Sequence, residues 1–165
     1  MAAIDSPPKI ILIRHGQSEA NVGLSDDPDC ALTEAGIEQA RQVALRLSQE
    51  VDISEFTLLV SPYRRARQTA SLIAEIVGGT FEVHREIREW GPRCRIDRVL
   101  YEQETREQLI ERMRAVHQNL RNGRHILVSH AAPIAMLMHV AKGRESQVGD
   151  SCFWEGIENC CLIAM

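Results

Sequence analysis

A chain of 165 residues, 44% hydrophobic and 25% charged, is long enough for one domain to bury a core without disulfides or metal, and it is unlike disordered, collagen-like or coiled-coil sequences. Its formal charge of -4 argues against a protein that coats nucleic acid, which needs an excess of lysine and arginine. Of its 19 basic residues all but Lys9 and Lys142 are arginines, side chains that grip phosphate through two parallel hydrogen bonds.

The first element is the apolar run Lys9-Ile10-Ile11-Leu12-Ile13, read as a buried strand that passes directly into Arg14-His15-Gly16-Gln17. Residues 14–31, rich in Ser, Asp, Gly and Pro, read as a loop. A helix then starts with Thr33 as its cap, Glu34 in the first turn, and Ile37, Ala40, Ala44 and Leu47 at helical spacing. Phe56 to Val60 is the second strand. Ser61-Pro62 after it predicts a capping hydroxyl and a proline at the first helical position, opening a helix with Ala66, Ala70, Ile73 and Val77 on one face. Gly78-Gly79 ends that helix, and Thr80 to Val83 reads as a third strand.

Residues 88–103 have no clear period and are expected to form a loop or short cap. Thr105 and Gln108 predict a capping box for a helix striped by Leu109, Met113, Val116 and Leu120, and Asn122-Gly123 ends it. His125-Ile126-Leu127-Val128 is the fourth strand and runs into Ser129-His130-Ala131. Pro133 to Ala141 reads as a short buried helix and Asn159 to Met165 as a last strand. The alternation of strands and helices predicts a three-layer α/β/α sandwich with a mainly parallel central sheet, in one domain spanning residues 1–165.

Five cysteines (Cys30, Cys94, Cys152, Cys160, Cys161) form an odd set without Cys-x-x-Cys spacing, so reduced thiols are expected, with neither a disulfide framework nor a zinc site. No apolar stretch has membrane-spanning length and no cationic leader precedes Ile10, so a cytoplasmic location away from membranes is expected. No feature of the sequence sets an oligomeric state.

Open parallel sheets hold ligands at the carboxyl ends of their strands. That edge collects Arg14 and His15 after the first strand, Arg65 one turn beyond Ser61, Glu89 after the third strand and His130 after the fourth. Two arginines, two histidines and a carboxylate suit phosphoryl transfer, in which the protein positions the group and stabilises charge on its non-bridging oxygens. With cations built in, the expected chemistry needs no metal and no cofactor. Arg64 and Arg67 point elsewhere on the helix, and His84, His117, His125 and His139 read as ordinary surface or core residues.

Four blocks carry a family likeness: Arg14-His15-Gly16-Gln17-Ser18-x-x-Asn21, Leu32-Thr33-Glu34-Ala35-Gly36, Ser61-Pro62-Tyr63-Arg64-Arg65-Ala66-x-Gln68-Thr69-Ala70 and Val128-Ser129-His130-Ala131. In that order they resemble the histidine phosphatase superfamily, which includes the phosphoglycerate mutases. The resemblance implies His15 as the phosphorylated nucleophile, Arg14, Arg65 and His130 as phosphate ligands, and Glu89 as proton donor, with Glu82 and Glu86 as the competing carboxylates. Ser18 and Asn21 would line the entrance for substrate, and Asn159 resembles the family's closing segment.

After Glu89 the chain reads Trp90-Gly91-Pro92-Arg93-Cys94-Arg95, departing from the Gly-x-x-Glu-Gly type of stretch of the mutases. A short cap leaves the cleft open to water, which favours hydrolysis. The expected protein is thus a phosphomonoester hydrolase acting on a phosphorylated small molecule or phosphoprotein. The alternatives are a mutase-type phosphoryl transferase and a non-catalytic phosphate-binding module.

Overall fold

The computed structural model describes residues 9–149 and 153–165. Its regular elements are β1 (Ile10–Arg14), α1 (Glu34–Glu50), β2 (Thr57–Val60), α2 (Arg64–Val77), β3 (Glu82–Val83), β4 (Cys94–Ile96), β5 (Val99–Tyr101), α3 (Arg106–Asn119), β6 (His125–Ser129), α4 (Ala131–Ala141) and β7 (Leu162–Ala164). Five strands form one sheet in the order β3-β2-β6-β1-β7. The first four run parallel, and β7 pairs antiparallel with β1 at the edge.

Successive side chains of a strand face opposite sides of the sheet, and both sides are covered. Ile11, Ile13, Leu58, Val60, Ile126 and Val128 pack against α1 and α2 through Val43, Leu47, Ala66, Ala70 and Ile73. Ile10, Leu12, Leu59 and Leu127 pack against α3 and α4 through Leu109, Met113, Val116, Ile134 and Leu137. Burial on both faces explains why β1 and β6 read as unbroken apolar runs. The three-layer arrangement matches the expectation.

Several local expectations need correction. Helix α2 begins at Arg64 with Tyr63 at its N-cap and no side-chain cap, so Ser61-Pro62 does not open it. The Ser61 hydroxyl is engaged with His130, a buried partner that sequence spacing does not reveal. Helix α4 starts two residues before Pro133, because a proline in the first turn removes an N–H that has no intrahelical acceptor. Strand β3 is only Glu82–Val83, and the last strand only Leu162–Ala164.

Residues 88–103 hold a hairpin of β4 and β5, and Ile96 of β4 is fully buried. Its two-residue turn places Asp97 and Arg98 at φ 49° and 64°, the positive-φ pair of a type I′ turn, which Asn-Gly or Asp-Gly usually signals. Within residues 14–31 a 3-10 turn spans Glu19–Val22, and Ser18 bridges to Leu32. Cys30, Cys94, Cys160 and Cys161 are free thiols, and Cys152 lies outside the described residues. Among the described residues, no helix is long and apolar enough to cross a membrane.

One close approach explains two glycines of the sequence blocks. A side chain on Gly16 would overlap the Gly36 carbonyl, and one on Gly36 would overlap the Gln17 carbonyl. The loop after β1 is thereby pressed against the start of α1, and this contact fixes the exit angle of the chain at His15.

Candidate active site

The parallel register places Arg14 opposite Ser129, so the residues that follow β1 and β6 emerge side by side. His15 and His130 are both buried, their ring centroids 5.0 Å apart in an edge-to-face pair. His15 Nδ1 donates to its neighbour's carbonyl, Gly16 O, at 2.7 Å, and Nε2 accepts from Arg65 Nε at 3.0 Å. The proton of the neutral ring is therefore on Nδ1 and the lone pair on Nε2. Desolvation holds the His15 pKa well below its ordinary value, and the Arg65 and Arg14 charges push the same way.

His130 has the opposite tautomer. Its Nδ1 accepts from Arg65 Nη2 at 3.2 Å, which leaves Nε2–H to donate to Ser61 Oγ at 2.7 Å. Burial holds its pKa well below the ordinary value as well, with Arg65 as the next cause. The Tyr63 ring completes the wall, 4.8 Å from His130 and 4.7 Å from the Arg65 guanidinium carbon.

Arg65 is 8% exposed, and its third partner is Pro28 O, 2.6 Å from Nη1. It reaches the site because it lies on the buried side of α2, whereas Arg64 is exposed and Arg67 pairs with Asp97 at 3.7 Å. Arg14 donates from Nη1 to Ile157 O at 2.6 Å, while its Nε is buried with no hydrogen-bond partner. An unsatisfied cationic donor in a cleft is suited to an anion.

Glu89 Oε2 lies 3.5 Å from His130 Nδ1 and 3.8 Å from Arg65 Nη2. Glu82 is exposed on β3, and Glu86 faces Arg88 at 3.6 Å, so of the three carboxylates only Glu89 enters the cluster. Its side chain, 27% exposed, lines a concave cleft. Desolvation raises its pKa, opposed by Arg65, the Trp90 N–H and Arg14. A raised carboxyl pKa keeps a larger protonated fraction available for donation.

The structure brings Arg14, His15, Arg65, Glu89 and His130 together, whereas Ser18 and Asn21 are hydrogen-bonded to each other. Ser18 is 1% exposed, and both its N–H and its hydroxyl donate to Asn21 Oδ1, at 2.9 and 3.0 Å. Asn159 Nδ2 donates to His15 O at 2.9 Å and tethers the loop from the carboxyl-terminal side. Three supporting residues went unassigned in the sequence: Ser61, Tyr63 and Thr69. Thr69 Oγ1 accepts from Gly16 N at 3.1 Å and donates to Arg65 O at 2.9 Å. All three fall in the block around Arg65, and Ser61 follows β2 just as His130 follows β6. Position at a strand end was the signal that could have found it.

Glu89, Trp90, Gly91 and Pro92 line two hollows. One, about 490 Å³, includes Arg14, Trp90, Gln103 and Trp154 in its lining. The other, about 320 Å³, includes Asp26, Asp27, Tyr63 and Arg65.

The sequence profile of the histidine phosphatase superfamily (branch 1) matches residues 10–95. A protein named probable phosphoglycerate mutase from Photorhabdus laumondii is 32% identical over 167 residues, 82% of this chain and 75% of that protein. Two other curated relatives match over 70 and 68 residues, 32% of the length of each. Among solved structures, mycobacterial glucosyl-3-phosphoglycerate phosphatase bound to VO3 superposes with a TM-score of 0.66 at 21% identity, covering 86% of each chain. Phosphoserine phosphatase from Entamoeba histolytica with phosphoserine gives 0.63 at 20% identity, covering 82% of this chain and 80% of that one. The chain belongs to the histidine phosphatase superfamily, branch 1.

Proposed function

We propose that this protein is a phosphomonoester hydrolase that works through a phosphohistidine on His15, with Glu89 as its proton donor. The observation that carries the reading is the tautomer of His15. Gly16 O fixes the proton on Nδ1, so the Nε2 lone pair faces Arg65 and His130. A nucleophile held unprotonated beside anion-binding donors is the arrangement that attack on a phosphate ester requires.

In the proposed sequence the non-bridging oxygens of the substrate take hydrogen bonds from Arg14, from Arg65 and from His130, whose proton moves to Nδ1 as Arg65 turns to the phosphate while the Ser61 hydroxyl donates to Nε2. The Arg65 Nε–H turns from His15 Nε2 to an oxygen and frees the lone pair. Nε2 then forms a bond to phosphorus as the ester P–O bond breaks, and the Glu89 carboxyl proton passes to the leaving oxygen. Glu89, now a carboxylate, takes a proton from water as that water attacks the phosphohistidine. Phosphate leaves and His15 is restored. Arg14 and Arg65 supply the positive charge for both transfers, so no metal ion enters the scheme.

Hydrolysis is preferred over mutase chemistry because the cap is a single short hairpin and the cleft beside Glu89 is open. A mutase must retain its intermediate while it reorients, which an open cleft does not favour. Ser18 and Asn21, hydrogen-bonded to each other, brace the loop that carries His15.

Incubation with a radiolabelled aryl phosphate tests the reading. Transient label on His15, release of inorganic phosphate, and loss of both in His15→Ala are expected. Transfer of label to a hydroxyl of added phosphoglycerate, without release, would make the protein a mutase. Tight phosphate binding with no label on His15 would make it a binding module.

A further inference from the structure

We propose that the hollow beside Arg14 is a leaving-group pocket for an uncharged aromatic ring. The inference rests on the reading of the site as one for phosphomonoesters and names the class it takes. Both tryptophans of the chain lie here. Trp90 and Trp154 pack edge to face at 5.7 Å, and Phe153 closes the cluster at 5.7 Å from Trp90 and 4.9 Å from Trp154. The Trp90 indole is fixed by its Nε1–H, which donates to Glu104 O at 2.9 Å, and by its backbone N–H, which donates to Glu89 Oε1 at 2.9 Å. An aromatic wall is thus attached through one residue to the acid that would protonate the leaving oxygen. Pro92, Ala131 and Ala132 add apolar surface around it. Held rings that line the hollow favour a planar guest, since aromatic pairs gain beyond the area they bury.

Charge argues for the same guest. Among the described residues lining this hollow, Arg14 is the sole cation, and its free donor serves the phosphate. The Glu104 carboxylate on the wall is already matched, with Arg112 Nε at 2.7 Å and Arg88 Nη2 at 3.5 Å. A leaving group carrying its own carboxylate would lie against Glu89 and Glu104 with no cation left to receive it. Such a group is disfavoured, whereas a neutral ring loses nothing.

Tryptophan emission reads the pocket directly, because Trp90 and Trp154 are the chain's two tryptophans. The whole protein is titrated with benzylphosphonate and with phosphonoacetate, neither of which is hydrolysed. Benzylphosphonate is expected to bind about tenfold more tightly and to shift the emission. In Trp154→Leu the difference should shrink below about threefold, and Trp154→Phe should restore most of it. Equal or tighter binding of phosphonoacetate, or a preference that survives Trp154→Leu, overturns the proposal. Turnover is measured separately with benzyl phosphate and glycerol phosphate, which both leave as primary alcohols. Absence of turnover on both would remove the hydrolase reading, while the phosphonate comparison still decides the pocket.

Discussion

Arg65 Nε points at His15 Nε2 across 3.0 Å, a cation donating to the lone pair that is to attack phosphorus. The same guanidinium also donates to His130, so one side chain adds its charge to the burial that keeps both histidines neutral. A positive charge beside an imidazole disfavours imidazolium. In Arg65→Gln the His15 pKa therefore rises towards its ordinary value, and the acid limb of the pH–kcat/KM profile moves towards neutrality. Loss of a charged phosphate ligand should also lower kcat/KM by about 10²- to 10³-fold. Profiles from pH 4.5 to 8 check both effects, and an unmoved acid limb would show that Arg65 does not tune His15.

Stability should respond to the same two groups. His15 and His130 are 2% and 0% exposed and resist protonation when folded, whereas in the unfolded chain they titrate near 6.5. Below that pH the unfolded state binds more protons, so stability is full above about 6.5 and declines as pH falls, by up to about 1.4 kcal/mol per pH unit for each histidine. Glu89 acts in the opposite sense. Its raised pKa means the folded form holds a proton longer, which offsets part of the decline at lower pH. Urea midpoints from pH 5 to 7.5 should slope accordingly, and His130→Gln should reduce the slope by about half. A flat wild-type curve would contradict the buried neutral pair.

Much of this was legible in the chain because parallel strands buried on both faces leave continuous apolar runs, and because the reactive residues sit immediately after them. His15 and His130 were found by position, and Arg65 by its place on the inner side of a helix. What stayed hidden depends on contacts between elements. Ser61 looks like a helix cap until His130, 69 residues away, claims its hydroxyl. The β4–β5 hairpin has strands of three residues and an Asp97-Arg98 turn, too short and too atypical to leave a period of two. The resemblance favours Glu89 over Glu82 and Glu86, and its 3.8 Å approach to Arg65 depends on a contact between distant segments that spacing does not reveal.

Ser61→Ala tests the orientation of His130. Without the hydroxyl, the Nε2–H of a fully buried ring has no acceptor, at a cost of about 1–3 kcal/mol. The ring then loses the bond that keeps Nδ1 towards Arg65 and the phosphate. A lower Tm, weaker inhibition by inorganic phosphate and a drop in kcat of about tenfold are expected, with Ser61→Thr recovering most of each. Unchanged phosphate affinity in a folded Ser61→Ala protein would remove Ser61 from the site.

Glu89→Gln separates proton donation from binding. The amide keeps the volume and a hydrogen bond but supplies no acid, so substrates with basic leaving groups should suffer most. An alkyl phosphate is expected to lose about 10²- to 10⁴-fold in kcat/KM, and a nitrophenyl ester far less, since its leaving group needs no proton. Equal losses on both esters would assign Glu89 to structure alone.

Arg112 holds the segment that carries this acid. From α3 its Nη1 donates to Glu86 O at 2.6 Å and Arg88 O at 3.2 Å, while Nε and Nη2 grip the Glu104 carboxylate. Both side chains of the pair are buried, at 5% and 9% exposure. Removing only the arginine leaves Glu104 with the more distant Arg88 as its remaining partner, so Arg112→Met should cost about 3–5 kcal/mol. Arg112→Met combined with Glu104→Gln discharges both partners and should regain much of that stability. It does not rebuild the bonds to Glu86 O and Arg88 O, so the position of Glu89 stays loose. The double variant should therefore regain Tm but remain impaired on alkyl phosphates relative to nitrophenyl phosphate. Full recovery of the alkyl-to-aryl ratio would show that Arg112 stabilises the fold without positioning the acid.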